Sequence, residues 1–380
     1  MDGSILPRRA SPLRDLVRRF AESAAAHDRD GSFPHENIAA LREGGLLGMT
    51  VPPEFGGQGM GLSWAADVVG TVAEGCPATA LVLAMQLIQH RVLARNAAVP
   101  AAIRARIAEG AIQRGELINA LRVEPELGTP ARGGLPATIA RRVGDGWRLD
   151  GRKIYSTGAP ALDWGLVWAR TDGATPRTGL FLVALHAPGV RIVETWDQAG
   201  LRASGSHDIV FEDVALPENH ALELRAPAAW AVPDGDAVAW NTLLIAALYT
   251  GVARAARDWL LGFLRARVPA NLGAPLATLP RVQEAVGRIE ALIQTNELII
   301  AGAARSGATT TGLGLVKTVA AENAIAAVQE AVALCGNHGL SRANPLERHL
   351  RDVLCARIHT PQLDAALLAA GRATLSISQG

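Results

Sequence analysis

The chain has 380 residues, more than one hydrophobic core usually serves, so two or three domains are expected. Hydrophobic residues make up 49% and charged residues 19%, and 37 basic side chains against 36 acidic ones leave a net charge of +1 with no basic run dense enough to follow a phosphate backbone, so nucleic acid is excluded as an expected partner. Three cysteines, Cys76, Cys335 and Cys355, are too scattered for a zinc cluster and odd in number for a disulfide framework, which implies no metal and a reducing, cytoplasmic setting.

Residues 1–10 lack the apolar core of a signal peptide and the apolar run 243–248 is too short to span a bilayer, so no membrane association is expected. From 11 to about 116 the pattern is helical: Leu13, Leu16, Val17 and Phe20 recur at spacings of three and four, and Ile38, Leu41 and Leu46 continue an amphipathic face. The Gly-rich stretch 51–62 has no preceding strand and no Gly-Lys-Ser/Thr, so it reads as a tight interhelical turn and not a phosphate cradle. Helices follow over 64–75 and 77–96, the second apolar on nearly all sides and therefore interior. His90 ends that run, either as a core histidine or as part of a pocket.

From 117 to about 217 the period changes to two, with strands around 147–154, 165–169, 180–184 and 190–193. The stretch 196–217 has a small, polar first half with glycines at its corners. Its second half sets Ile209, Phe211 and Val214 against carboxylates before Pro217, and it reads as a loop feeding an edge strand. The helical period then returns, with helices expected over 239–265, 280–302, 317–334 and 345–375, a four-helix bundle.

Three segments, taken in order, resemble the acyl-CoA dehydrogenase superfamily of flavoproteins. Val123-Glu124-Pro125-Glu126-Leu127-Gly128-Thr129 is similar to the family loop lying against the flavin ring. Asp150-Gly151-Arg152-Lys153-Ile154-Tyr155-Ser156-Thr157-Gly158 resembles its Gly-x-Lys-x-Trp-Ile-Thr-Asn-Gly segment, and 196–217 resembles the close of its central domain. The resemblance implies an α+β fold: an N-terminal helical domain (1–115), a central antiparallel β-domain (116–225) and a C-terminal four-helix bundle (226–380). It also implies a homotetramer. Flavin-binding residues carried over are Val123, Thr129, Tyr155, Ser156, Thr157, Arg202 and Ser204, with Tyr155 as a wall for the ring and Thr157 near its reactive nitrogen. Read without the resemblance, Thr157 and Gly158 form the turn of a hairpin.

Two departures shape the functional expectation. Most of the family takes its proton-abstracting Glu from a C-terminal segment, where this chain has Thr360; a second group takes it from the first bundle helix, ten residues before a Gly, where counting back from Gly251 gives Asn241. Neither accepts a proton near neutral pH, and the lost general base is worth about a hundredfold or more. A displaced base, Glu124 or Glu322, is the alternative. The positions that grip the adenine end of FAD are Pro269, Leu272, Pro280 and Ala333, none with a side-chain donor. Both departures resemble a branch of the superfamily that takes reduced flavin from a separate reductase and reacts it with molecular oxygen. The expected function is therefore a two-component monooxygenase acting on a small organic substrate, with reduced FMN favoured over FAD. An acyl-CoA dehydrogenase with a non-standard base and a non-catalytic flavin or acyl-carrier binding protein are the alternatives. The expected catalytic residues are His359, in the segment that normally carries the base, with His90 and Ser206.

Overall fold

The computed structural model describes residues 11–127, 134–230 and 234–376. Helices come first: α1 (Ser11–Asp30), α2 (His35–Glu43), α3 (Leu62–Gly75), α4 (Pro77–Arg95) and α5 (Ala101–Glu109), the last running into a π-helical turn at Gly110–Arg114. Pro77 opens α4 at its first position, where the missing N–H has no acceptor to lose. The glycine-rich stretch before α3 is an interhelical turn, tightened by a 3-10 segment at Pro53–Phe55.

Eight strands follow: β1 (Ile118–Leu121), β2 (Ile139–Val143), β3 (Gly146–Lys153), β4 (Trp164–Thr171), β5 (Thr178–Ala184), β6 (Val190–Val193), β7 (Asp208–Pro217) and β8 (Ala221–Arg225). The order across the sheet is β6-β7-β3-β2-β4-β5-β8, with β1 beside β4. The sheet is mixed where an antiparallel one was expected. β5 occupies one edge of β4, and the other edge takes β1 and then β2 in tandem, both parallel to it. The chain passes through β3 before entering β4, and that crossover lets β4 run in the same direction as β1 and β2. β4 is buried on both faces from Trp164 to Ala169: Leu166 and Trp168 pack toward α5, while Val167 and Ala169 join the main core. An unbroken apolar run is the consequence.

β7 is also not the edge strand that its carboxylates suggested, since it lies between β6 and β3. Four-residue β6 folds back to pair with it, while Glu212 and Asp213 face solvent from the outer side.

The C-terminal helices are α6 (Gly235–Ala266), α7 (Pro280–Ser306), α8 (Thr310–Cys335), α9 (Leu346–Leu354) and α10 (Leu363–Thr374). The run 243–248 thus lies within a 32-residue helix; among the described residues this helix and Thr310–Leu340 are each long and apolar enough to cross a membrane, with 72% and 44% of their most apolar windows buried inside the protein. A Cβ on Gly251 of α6 would lie 2.1 Å from the carbonyl oxygen of Gly70 in α3, so only glycine lets these backbones touch. Glu74 of α3 accepts Arg254 of α6 at 2.6 Å and also pairs with Arg14 of α1, tying the first helices to the bundle.

The single helix expected over 345–375 is broken between α9 and α10. Pro361 has no N–H and disfavours helical geometry in the residue before it. The break leaves carbonyls without helical partners, and the Nζ of Lys317 in α8 donates to three of them, Ala356, His359 and Pro361, at 2.7, 2.7 and 3.0 Å.

Candidate functional site

Two loops form a cradle at one end of β3 and β7. The loop after β3 is stitched to the loop before β7 by backbone bonds: Ser156 N–H to His207 O at 3.1 Å, Gly158 N–H to Ser204 O at 3.0 Å and Ala159 N–H to Gly205 O at 3.1 Å. Gly205 has φ +55, and a Cβ there would sit 2.7 Å from Pro160 and 2.8 Å from Phe33, so glycine allows the α1–α2 connection to close on both loops. Three hydroxyls then line up, Ser204 Oγ 2.7 Å from Ser206 Oγ, which is 3.0 Å from Thr157 Oγ1. Ser204 is wholly buried, Ser206 nearly so and Thr157 half-buried, so the row leads outward to the cradle. From β1, Asn119 Nδ2 donates to Thr157 O at 3.1 Å.

Tyr155 sits in the left-handed region at φ +56, a conformation costing a non-glycine residue roughly 1–2 kcal/mol. Its neighbours pin it: Ile154 N–H donates to Val123 O at 3.0 Å, and Thr157 N–H to Tyr155 O at 3.0 Å. The ring is 56% exposed and meets Trp196 edge to face, centroids 6.2 Å apart. A flat apolar surface beside a row of hydroxyls is what an isoalloxazine requires, so the residues present fit that group. Ser156 is buried with its Oγ unpartnered among the described residues. Arg202 points elsewhere: its guanidinium donates to Asp28 O at 2.6 Å, Asp197 at 2.9 Å and Gln198 O at 3.1 Å, strapping the loop to α1. Thr129 lies outside the described residues.

A second group forms at the α9–α10 break. Asn241 Nδ2 of α6 donates to the carbonyl oxygen of Thr360 at 3.2 Å, so the two positions where a proton-abstracting carboxylate was sought, 119 residues apart, meet in space with no acid at either. Beside them Tyr249 Oη lies 2.7 Å from His359 Nδ1. Burial, then the nearby Lys317 charge, lowers the His359 pKa to about 4, so the ring is neutral at pH 7.

Models of all three acyl-CoA dehydrogenase domains match in sequence order: the N-terminal domain over residues 9–98, the middle domain over 122–214 and the C-terminal domain over 243–362. YdbM of Bacillus subtilis (strain 168), whose name assigns it to the acyl-CoA dehydrogenases, is 35% identical over 360 residues, 93% of this chain and 92% of that protein. The chain belongs to the acyl-CoA dehydrogenase family. Within the family it is also similar to the amino sugar nitrososynthase DnmZ of Streptomyces peucetius, 30% identical over 90% of this chain and 87% of that one. The X-ray structure of KijD3 in complex with FMN and a dTDP amino-keto sugar superposes with a TM-score of 0.83 at 27% identity, covering 98% of this chain and 95% of that one. The N-terminal helices, central sheet and C-terminal helices are those of the acyl-CoA dehydrogenase fold.

For a family member, the placement of carboxylates matters most. Glu124 is enclosed: Oε1 accepts Lys153 Nζ at 2.6 Å and both donors of Thr138, and Oε2 accepts Ala137 N–H at 2.7 Å. Burial raises its pKa, but Lys153 outweighs that and holds the carboxyl below its usual range. Glu322 is gripped by Arg357 at 2.8 and 2.6 Å, which likewise lowers it. Asp352, buried before the break and raised by burial to about 6, accepts Leu201 N–H at 2.7 Å. Glu124 and Asp352 are committed to partners inside the fold, and Glu322 to an ion pair at the surface.

His90 is not brought to either group. Its Nε2 lies 2.9 Å from the amide nitrogen of Gln86, whose Oε1 accepts Ile118 N–H at 2.8 Å, so His90 belongs to the α4–β1 junction. Burial lowers it to about 4. Sequence reasoning missed Asn119, Tyr249 and Lys317. Lys317 left a signal, a cation among the apolar and small residues of α8, where an unpaired charge must find carbonyl partners.

Proposed function

We propose that this protein is a two-component monooxygenase that receives reduced FMN from a separate reductase and uses molecular oxygen to oxidise a small organic substrate. The observation that carries this reading is the Asn241–Thr360 hydrogen bond. It supports the view that both family positions for the base converge in this fold and that neither can take a proton. The commitments of Glu124 and Glu322 argue against a displaced base. DnmZ and the FMN complex of KijD3 support the same direction by similarity.

Reduced FMN, when bound, supplies two electrons to oxygen. The chain's own residues hold and orient. Tyr155 and Trp196 offer the ring its apolar face, and Thr157 presents a hydroxyl whose direction is set by Ser206 and, through it, Ser204. Val123 fixes the backbone beneath Tyr155, Ser156 N–H keeps the two loops in register, and Arg202 straps the second of them to α1. His359, on the helical side, is the residue assigned to the substrate. Ile358, Leu367, Leu368 and Leu375 stand exposed near the C-terminus, which supports association of copies into a homotetramer. The three cysteines are free, in keeping with a cytoplasmic protein.

The test supplies the protein with FMN, a flavin reductase and isotopically labelled oxygen, with a panel of amines, nucleotide-linked amino sugars, sulfur compounds and aromatics. A product carrying labelled oxygen is expected. Reoxidation of reduced FMN at the buffer rate with every substrate contradicts the reading.

A further inference from the structure

The His359–Tyr249 contact decides which nitrogen of the imidazole carries hydrogen. A neutral imidazole has one N–H and one bare nitrogen. Tyr249 is wholly buried in α6, and burial raises its pKa well above the usual phenol range, so its hydroxyl keeps its hydrogen. Among the described residues its recorded hydrogen-bond partner is His359 Nδ1, at 2.7 Å. If Nδ1 carried the hydrogen, it would point at the Tyr249 oxygen, and the phenol hydrogen would need another acceptor within the core. A buried donor left without one costs roughly 1–3 kcal/mol, which disfavours that arrangement about five- to 160-fold. Donation from Tyr249 to a bare Nδ1 leaves neither the phenol nor Nδ1 unpaired and places the hydrogen on Nε2.

The surroundings hold the ring to that choice. Lys317 Nζ donates to the carbonyl of His359 itself at 2.7 Å and to those of Ala356 and Pro361, so the backbone carrying the imidazole is clamped. The same ammonium, beside a half-buried imidazole, opposes a second proton on it.

We propose that Tyr249 is a positioning residue that fixes His359 as its Nε2–H tautomer, making His359 a neutral hydrogen-bond donor to an oxygen or nitrogen lone pair of the ligand and not a base. The proposal deepens the oxygenase reading, on which the direction of Nε2 toward a ligand rests. A neutral N–H donor withdraws no proton from a carbon acid, but it can hold a carbonyl, hydroxyl or amine in place.

The test is imidazole nitrogen NMR on full-length protein labelled with nitrogen-15 histidine at pH 7, with the His359 signals assigned by their loss in His359→Gln. An acceptor-type shift at Nδ1 and a protonated-type shift at Nε2 are expected. Tyr249→Phe, which keeps the ring volume, is expected to release the lock and shift both signals toward the average of a tautomer mixture. An Nδ1–H or doubly protonated His359 in the parent protein overturns the proposal, as does a Tyr249→Phe spectrum identical to the parent. If Tyr249→Phe does not fold, the parent spectrum alone decides. The spectrum is recorded without flavin, oxygen or substrate, so failure of the oxygenase reading leaves it unchanged, and an Nδ1–H spectrum overturns the tautomer assignment even where labelled product forms.

Discussion

The loops around Thr157 are held by backbone hydrogen bonds running from one strand connection to another, with a row of hydroxyls laid over them. The break around His359 is held chiefly by one ammonium group reaching three carbonyls, with the Asn241–Thr360 and Tyr249–His359 bonds beside it. The first arrangement spreads its stability over many small contributions, so no one side chain there is decisive. The second concentrates it in Lys317. On the proposed reading the first is a robust face for a planar ring and the second a sensitive face for whatever reacts with it.

Lys317→Met breaks that contrast most severely. It removes the donor from three carbonyls, and at roughly 1–3 kcal/mol for each one left buried, a loss on the order of 4 kcal/mol is expected in urea unfolding followed by circular dichroism. A change below about 1 kcal/mol would mean the carbonyls find water or other partners. Thr360→Glu sharpens the comparison from the chemical side. It returns a carboxylate to the segment beside Asn241, and an acyl-CoA is expected to reduce bound flavin about a hundredfold faster than in the parent. Unchanged rates in stopped-flow bleaching would mean that position 360 does not face the ring.

Acid stability reports on the buried histidines. Burial lowers His90 and His359 to about 4 and His349 to about 3, whereas an unfolded histidine titrates near 6.5. As pH falls from 6.5 toward 4 the unfolded chain binds three protons that the folded one does not, so stability falls across this window. Asp352, raised by burial to about 6, has the opposite sign, since the folded chain holds a proton there that an unfolded Asp takes up only near 3.9. Burial lowers His207 and His220 as well, so the slope of unfolding free energy against pH near 5 should report a net proton uptake on unfolding, and His349→Gln should reduce it by about one. The smallest effect is expected at Ser206→Ala, which breaks two hydroxyl contacts but no backbone stitch: about 1 kcal/mol of stability, read by thermal unfolding, with secondary structure unchanged.

What the amino-acid sequence made legible follows the same division. The two loops around Thr157 were legible as segments, through their family wording and the glycines at their corners, but the bonds that stitch Ser156 to His207 and Gly158 to Ser204 join residues far apart in sequence and were not. The approach of Asn241 to Thr360 was anticipated only as two alternative positions for one function, and the fold joins them. The break between α9 and α10 was read as continuous helix because Pro361 sits in an apolar pattern that resumes beyond it. What stabilises the interruption is a cation 44 residues away, beyond the reach of periodicity. β7 was misread as an edge because solvent-facing carboxylates mark an exposed face as readily as an exposed edge, and the register that separates the two depends on β6. His90 lies where an apolar helix ends, and only the packing of Gln86 against β1 shows that it serves the core.

Anaerobic mixing of the FMN-loaded parent protein with acyl-CoA thioesters of graded chain length tests most directly whether the ring's cradle exists here without a proton-abstracting carboxylate. The flavin absorbance should stay unbleached with every thioester over the time in which Thr360→Glu bleaches. Rapid bleaching of the parent by any of them would contradict the account.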